Sequence, residues 1–156
     1  MKRYIQSMRS ASWAAALFAC LLGCGTDGAM MAGDSNSCMG STDPHQFATN
    51  GEAIFRTGRD KDGVVVQDLA KSEMNMMVHS CEMCHGADGG GMMHTPSIRF
   101  RDLADPNQHA VPYTDDLVKR FLDEELKSDG TPARTGVAWK MSDRDKTDLI
   151  AFMKTL

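Results

Sequence analysis

The chain of 156 residues carries 17 Lys and Arg against 21 Asp and Glu, a formal net charge of −4 at pH 7. Its length allows one domain of ordinary size, or a smaller domain with a tail, because domains usually run about 100 to 150 residues. The acidic balance argues against a nucleic-acid binder, which needs clustered basic residues to neutralise phosphates. It favours instead a partner with a basic docking surface.

The first segment of the chain has the layout of an export signal. Three basic residues among the first nine precede an uncharged apolar run, 11–22, which is too short to span a membrane. The run ends in Leu21-Leu22-Gly23-Cys24, which resembles the bacterial lipobox, where the cysteine is lipidated and becomes the first mature residue; Leu17-Phe18-Ala19-Cys20 is a weaker match. We therefore expect residues 1–23 to be a lipoprotein signal peptide and Cys24 to be acylated.

The next segment, 24–43, consists mainly of Gly, Ser, Asp, Thr and Met and has almost no aliphatic residues. Such a segment cannot bury enough apolar surface to offset its ordering entropy, so we expect a flexible tether. Cys38 lies in this tether without an obvious partner, and we favour an unpaired thiol over an intermolecular disulfide. The remaining residues, 44–156, form the predicted domain.

Two features open the predicted domain. Pro44 suits a first helical turn, and apolar residues recur at helical spacing across 47–55, which predicts a helix of about three turns that ends near Gly58. The turn-forming residues 59–63 and the β-branched run 64–66 then predict a small hairpin-like excursion at the periphery.

Two amphipathic helices are predicted in the C-terminal part. Thr114 can cap a helix whose apolar face reaches Leu126 and whose stop is Gly130. Ser142 can cap a final helix, with apolar residues from Leu149 to Leu156 on one side. Because no comparable series of strands exists, we expect a mainly α domain.

The segment Cys81-Glu82-Met83-Cys84-His85 is a C-x-x-C-H motif, which in an exported protein indicates covalent attachment of haem c. The two thiols add to the porphyrin vinyl groups, and the two residues between them place both sulfurs along one edge of the macrocycle. The next residue then reaches its centre, where a neutral imidazole nitrogen ligates iron well. We therefore predict one haem c held by Cys81 and Cys84, with His85 as the proximal iron ligand.

A dithiol redox centre and a structural zinc site fit the motif less well. A thioredoxin-like dithiol requires a βαβ context and no ligand histidine, whereas the surrounding sequence is helical and glycine-rich. A structural zinc site would require a second pair of ligands, which the sequence lacks.

Residues 46–156 resemble the class I cytochrome c family in three motifs, Gly51-x-x-x-Phe55, Cys84-His85-Gly86-x-Asp88-Gly89 and Leu149-Ile150-Ala151-Phe152. The resemblance implies a cytochrome c-like fold in which the N- and C-terminal helices cross over one covalent haem. The crossing would lie near the glycine of the first motif, with aromatic contacts, because only glycine lets the backbones approach closely. The resemblance also implies that the Pro96 carbonyl accepts the other ring N–H of the ligand histidine.

The distal side of the haem is where the resemblance weakens. The family usually supplies a methionine about six residues before the cap of the last helix, and that place here is Gly136-Val137. Met141, five residues beyond, is our expected distal iron ligand, and a core residue beside the helix start is the competing interpretation. His109 is a further candidate in a polar loop. Met92-Met93-His94 lie on the proximal side in the family fold, so we expect them to be packing or loop residues.

The resemblance implies a single-electron carrier rather than an enzyme. We assign no catalytic residue and no small-molecule substrate, and we expect redox proteins as partners. Together with Cys24, this predicts a lipid-anchored protein of the bacterial periplasm or cell surface. The tether would also suit a subunit of a larger oxidoreductase.

Two other functions stay open at this point. An open distal site, with Gly136 in place of the usual methionine, would suit a haem-based ligand sensor or a weak peroxidase. The segment Met74-Asn75-Met76-Met77-Val78-His79 offers thioethers and an imidazole, which suit copper(I), and would fit a copper-handling lipoprotein.

Overall fold

The computed structural model of the protein describes residues 43–73, 77–92 and 94–156. The predicted signal peptide, Cys24, Cys38 and the tether up to residue 42 lie outside these ranges. They therefore stay predictions from the sequence.

The described residues form five α-helices and one 3-10 turn, Pro44–Gln46. The helices are α1 (Asn50–Thr57), α2 (Cys81–His85), α3 (Phe100–Leu103), α4 (Asp115–Glu124) and α5 (Asp143–Met153). Within the described residues there is no strand, and β pairing is limited to the isolated antiparallel bridges Arg59–Val65, Gln67–Trp139 and Leu126–Pro132. The prediction of a mainly α domain is confirmed.

Helix α1 starts later than the sequence predicted. Pro44 belongs to the separate 3-10 turn, and Thr49 adopts an extended conformation whose side chain accepts the Glu52 N–H at 3.1 Å. A side-chain oxygen in this place satisfies a free N–H group of the first turn, so the helix begins at Asn50. Its end at Gly58 agrees with the prediction.

Helices α1 and α5 cross at Gly51. A Cβ atom on this residue would lie 1.9 Å from the carbonyl oxygen of Asp148, so no larger residue fits without moving a backbone. The rings of Phe55 and Phe152 pack beside the crossing with centroids 5.2 Å apart. The side chain of Asn50 donates to both Asp145 and Asp148 at 3.0 Å. The predicted crossing of the two helices is confirmed.

Helix α4 ends earlier than predicted. Thr114 caps it as expected, but the helix stops at Glu124, and Glu125 takes a left-handed conformation with φ of 52°. The carbonyl of Glu125 then accepts the Ala133 N–H at 2.8 Å, and the loop that this bond closes turns at Gly130, whose N–H donates to the Lys127 carbonyl at 2.9 Å. The predicted extension to Gly130 is therefore wrong.

A buried ammonium joins α4 to α5. Lys146 Nζ lies 2.7 Å and 2.8 Å from the two carboxylate oxygens of Asp123, and 3.2 Å from Asp143 Oδ1. The Lys146 side chain is only 7% exposed. Helix α5 itself begins with a capping box between Ser142 and Asp145, as the Ser142 cap predicted.

The hairpin-like excursion before α2 is also confirmed. The carboxylate of Asp60 accepts the N–H groups of Asp62 and Val64, and the bridge between Arg59 and Val65 closes the turn. None of the helices in the described part of the chain is long and apolar enough to cross a membrane.

Candidate haem site

The motif that the sequence singled out forms the short helix α2. The Ser80 hydroxyl accepts the Met83 N–H at 3.2 Å and starts the helix, and the Gly86 N–H donates to the Glu82 carbonyl where it ends. Within this helix Cys81, Cys84 and His85 stand at positions i, i+3 and i+4. Residues with this spacing share one face of a helix, so the two sulfurs and the imidazole are presented on the same side.

The imidazole of His85 is oriented by a backbone carbonyl. Its Nδ1 lies 2.8 Å from the Pro96 oxygen, and because a carbonyl only accepts, Nδ1 carries the proton. This leaves Nε2 as the lone-pair nitrogen that can ligate iron. The contact that the resemblance implied is confirmed.

Thr95 closes the loop that brings Pro96 to His85. Its hydroxyl donates to the Cys84 carbonyl at 2.5 Å and accepts the Met92 N–H at 2.9 Å. The side chain thus ties the loop after the motif back onto α2. No sequence pattern singles out Thr95, because a lone threonine in a loop has no characteristic spacing or context.

Of the two cysteines of the motif, Cys81 is buried and Cys84 is partly buried. Burial raises the pKa of the Cys81 thiol to about 12, because the apolar surroundings disfavour the thiolate. A thioredoxin-like dithiol works through a thiolate of low pKa. Cys81 therefore lacks the low pKa that a thioredoxin-like dithiol needs.

Arg56 fixes α2 to the crossing of α1 and α5. Its Nη1 donates to Glu82 Oε2 at 3.1 Å and to the Ala87 carbonyl at 2.8 Å. The same guanidinium lies over the rings of Phe55 and Phe152, 5.6 Å and 5.7 Å from their centroids. Helix α2 is thereby held against the most buried part of the domain.

A buried donor without an acceptor supports the fit of a haem. Arg120 Nε has no hydrogen-bond partner among the described residues, although Nη2 of the same side chain donates to the carbonyls of Lys127 and Ser128. An unpaired buried donor costs free energy, and an anionic oxygen would satisfy it. Haem c carries two propionates, and the neighbours Leu117 and Phe121 pack against the same cluster as Cys81. The residues present therefore fit the group.

Gly136 and Val137, which occupy the place where the family usually carries its methionine, have structural roles here. The Gly136 carbonyl accepts the Glu73 N–H at 3.0 Å, and the Val137 side chain is buried. Met141, directly before the cap Ser142, is partly buried and packs against the hydrophobic core. Met141 is therefore the methionine of this segment that packs against the hydrophobic core.

The other candidates for the distal ligand either pack against a neighbouring ring or are exposed to solvent. The ring of His109 packs edge-on against Tyr113, with centroids 5.2 Å apart. Met92 is 47% exposed on the loop between the motif and the proline, and His94 is exposed as well. Met93 lies outside the described residues.

Two of the candidate copper ligands of this segment can be described. Met77 is exposed, whereas His79 is buried and bonded through its backbone N–H to the Gln67 side chain. Met74 and Met76 lie outside the described residues. Across the described ranges, no three His, Cys, Asp or Glu side chains form a group that could hold a metal ion.

The described part of the chain is thus a small helical domain that presents two thiols and an imidazole on one face of a short helix. The model of the cytochrome c family matches residues 48–156, well over half of the chain. The chain belongs to the cytochrome c family, and it is a class I c-type cytochrome that binds haem c covalently and carries electrons. Searches of curated proteins and of solved structures gave no significant match.

Proposed function

We propose that this cytochrome carries a single haem c and passes one electron at a time between protein partners of an exported redox chain. Cys81 and Cys84 would hold the haem by thioether bonds and His85 would be the proximal iron ligand. When bound, the haem supplies an iron that cycles between the ferrous and ferric states. The observation that carries the proposal is the 2.8 Å contact between His85 Nδ1 and the Pro96 carbonyl, because it fixes the ligand nitrogen.

Met141 is the distal ligand in this proposal. Its neighbours on both sides are anchored, since the Lys140 N–H donates to the Val66 carbonyl at 2.8 Å and Ser142 forms the capping box of α5. A thioether opposite an imidazole raises the reduction potential, which suits an electron carrier. The burial of Val137 supports the shift of the ligand away from the usual place.

The proposed location rests on the N-terminal sequence. Cleavage before Cys24 and its acylation would leave the haem domain tethered to a membrane on the outer side. The tether 24–43 would let the domain reach its partners, whose docking surfaces are expected to be basic because the chain is acidic overall. A role as a subunit of a larger oxidoreductase fits the same arrangement.

A second candidate function is favoured by one observation. Gly136 and Val137 offer no side chain that could ligate iron, so a haem ligated neither by Met141 nor by His109 would have an open distal site. Such a site binds small gaseous ligands or peroxide, as in a haem-based sensor or a weak peroxidase.

Intact mass and metal analysis of the exported protein test the proposal. We expect a mass gain of one haem, one iron per chain and no copper, and we expect the mass gain to disappear in Cys81→Ser/Cys84→Ser. Protein purified with copper and without covalent haem would favour the copper-handling alternative instead. Metabolic labelling with a fatty acid, lost in Cys24→Ser, tests the lipid anchor separately.

A further inference from the structure

Two segments that are distant in sequence run antiparallel beside each other. We call residues 66–73 the brace segment and residues 136–140 the distal segment, since the latter leads into Met141. Four hydrogen bonds join them: Lys140 N–H to Val66 O at 2.8 Å, Asp68 N–H to Ala138 O at 2.8 Å, Glu73 N–H to Gly136 O at 3.0 Å and Ala138 N–H to Ser72 Oγ at 3.0 Å. The brace segment thus sets the register of the distal segment.

Three buried polar side chains lie behind this pairing. Gln67, Ser72 and His79 are 4%, 5% and 7% exposed. Gln67 Oε1 accepts the His79 N–H at 2.9 Å, and Gln67 Nε2 donates to Ser72 Oγ at 3.1 Å. Ser72 Oγ in turn donates to the Asp68 carbonyl and accepts the N–H of Ala138. One glutamine therefore links the chain just before the haem motif to the distal segment.

The base of the excursion is closed at Gly58. A Cβ atom there would lie 2.3 Å from the carbonyl oxygen of His79, so the outgoing and returning chains touch where α1 ends and α2 is about to begin. The Gly58 carbonyl also accepts the Val66 N–H at 3.1 Å. These contacts fix the brace segment relative to α1 and α2, the two helices that position His85.

The position of Met141 follows from this arrangement. The residue before it is bonded to the brace segment, and the residue after it caps α5, so its backbone has little freedom. The thioether would leave the iron only when the loop that carries the methionine opens. Interactions that hold the loop closed therefore decide how long the thioether stays on iron.

We propose that Gln67 and Ser72 are positioning residues, which hold the distal segment through the brace segment and keep Met141 on iron. This inference rests on the proposed function, because it requires a haem ligated by His85 and Met141. The Gly136 carbonyl is committed to this pairing, and the proposed ligand comes from the first position beyond it.

The test compares haem-loaded wild type with Ser72→Ala and Gln67→Leu. Each variant removes hydrogen bonds of the network without adding bulk, and carbon monoxide binds the reduced iron only when the thioether leaves. We expect the rate of carbon monoxide binding to rise roughly tenfold in each variant, the effect of losing one or two buried hydrogen bonds. The long-wavelength iron–thioether band should also disappear at a lower temperature than in wild type.

Ile54→Val serves as the matched control. Ile54 is fully buried in α1 and its side chain makes none of the hydrogen bonds of the network, so this variant loses stability while those bonds stay intact. It should keep the wild-type rate of carbon monoxide binding. In a Met141→Ala background, Ser72→Ala should have no further effect on that rate, because the site is already open.

Two results would overturn the inference. Ser72→Ala and Gln67→Leu could behave like Ile54→Val, with lower melting temperatures but wild-type band and carbon monoxide binding; the network would then be merely structural. Wild-type protein without the iron–thioether band would refute ligation by Met141 itself, and the positioning role with it. The first result leaves the proposed function intact, and the second does not.

Discussion

His85 Nδ1 and the Pro96 carbonyl oxygen lie 2.8 Å apart, at the end of a loop that Thr95 ties back to Cys84. The bond fixes the tautomer of the imidazole and makes Nε2 more basic toward iron. A more basic ligand stabilises the ferric state and lowers the reduction potential. With His85 as the proposed proximal ligand, the loop would set both the geometry and the electron density on that side of the iron.

Thr95→Ala should raise the reduction potential, because it loosens the loop that presents Pro96 to His85. The lost hydrogen bonds should also lower the free energy of unfolding by about 1 to 2 kcal/mol. Redox titration and denaturant unfolding measure the two effects. Thr95→Ser, which keeps the hydroxyl, should retain the wild-type potential, and an equal rise in both variants would contradict this role of the hydroxyl.

Gly51→Ala should destabilise the domain by about 3 kcal/mol or more, because the added Cβ would meet the Asp148 carbonyl oxygen at 1.9 Å in a packed interior. Gly130→Ala is the matched comparison. That residue has φ of +84° but open space around its Cβ position, so only the left-handed backbone costs free energy, about 1 to 2 kcal/mol. Urea unfolding of both variants tests the difference, and equal losses would argue against a tight crossing of α1 and α5.

The ion pairs of Lys146 predict a loss of stability at alkaline pH. The hydrogen bond to Asp123, and a second one to Asp143, raise the pKa of the Lys146 ammonium above its usual 10.5. A group whose pKa is higher in the folded than in the unfolded state stabilises the fold fully at pH values below its unfolded pKa. This contribution is lost as the pH rises through its folded pKa. The contribution of Lys146 should therefore be present at neutral pH and disappear above pH 10.5.

Lys146→Met tests this prediction through denaturant midpoints at increasing pH. The variant should be less stable than wild type at pH 7, by about 1 kcal/mol because the partner carboxylates are half or more exposed. The difference should shrink above pH 10.5. Lys71→Met, whose side chain is 78% exposed, should follow the wild-type curve. A constant difference in stability between Lys146→Met and wild type across this pH range would show that the ammonium charge does not stabilise the domain.

Arg120→Gln should lower the reduction potential. A guanidinium near a propionate disfavours the additional positive charge of ferric iron, and its removal stabilises that state. Because Arg120 Nε is buried, salt should screen this effect only weakly. Redox titration at two ionic strengths measures it, with Lys119→Gln on the same helix as control. An unchanged potential in Arg120→Gln would mean that the buried Nε does not face a haem propionate.

Local sequence patterns predicted the parts of the structure that depend on neighbouring residues. Thr114 and Ser142 cap their helices, Gly58 ends α1, and the residues from Cys81 to His85 form one turn of helix. Each of these features is determined within about four residues along the chain. The start of α1 was missed because Pro44 suits a first helical turn, and only the structure shows that it belongs to a separate 3-10 turn and that Thr49 caps the helix.

Other features depend on residues far apart in sequence. The pairing of Val66 with Lys140, and the ion pair of Lys146 with Asp123, leave no local pattern that a single sequence could reveal. The end of α4 was missed for another reason. Glu125 takes a left-handed conformation that usually requires glycine, and the Glu125 carboxylate accepts the Thr135 N–H at 3.1 Å across the loop.

The most direct test of Met141 as the distal ligand is the pair of oxidised and reduced spectra of the haem-loaded protein, with carbon monoxide added to the reduced form. Met92→Ala is the control for Met141→Ala, because Met92 is an exposed methionine on the loop between the haem motif and Pro96. We predict that wild type and Met92→Ala show the long-wavelength iron–thioether band, that Met141→Ala loses it, and that only Met141→Ala binds carbon monoxide readily. A high-spin wild type that binds carbon monoxide readily would contradict the assignment of Met141 and make the open-site sensor or peroxidase the better description.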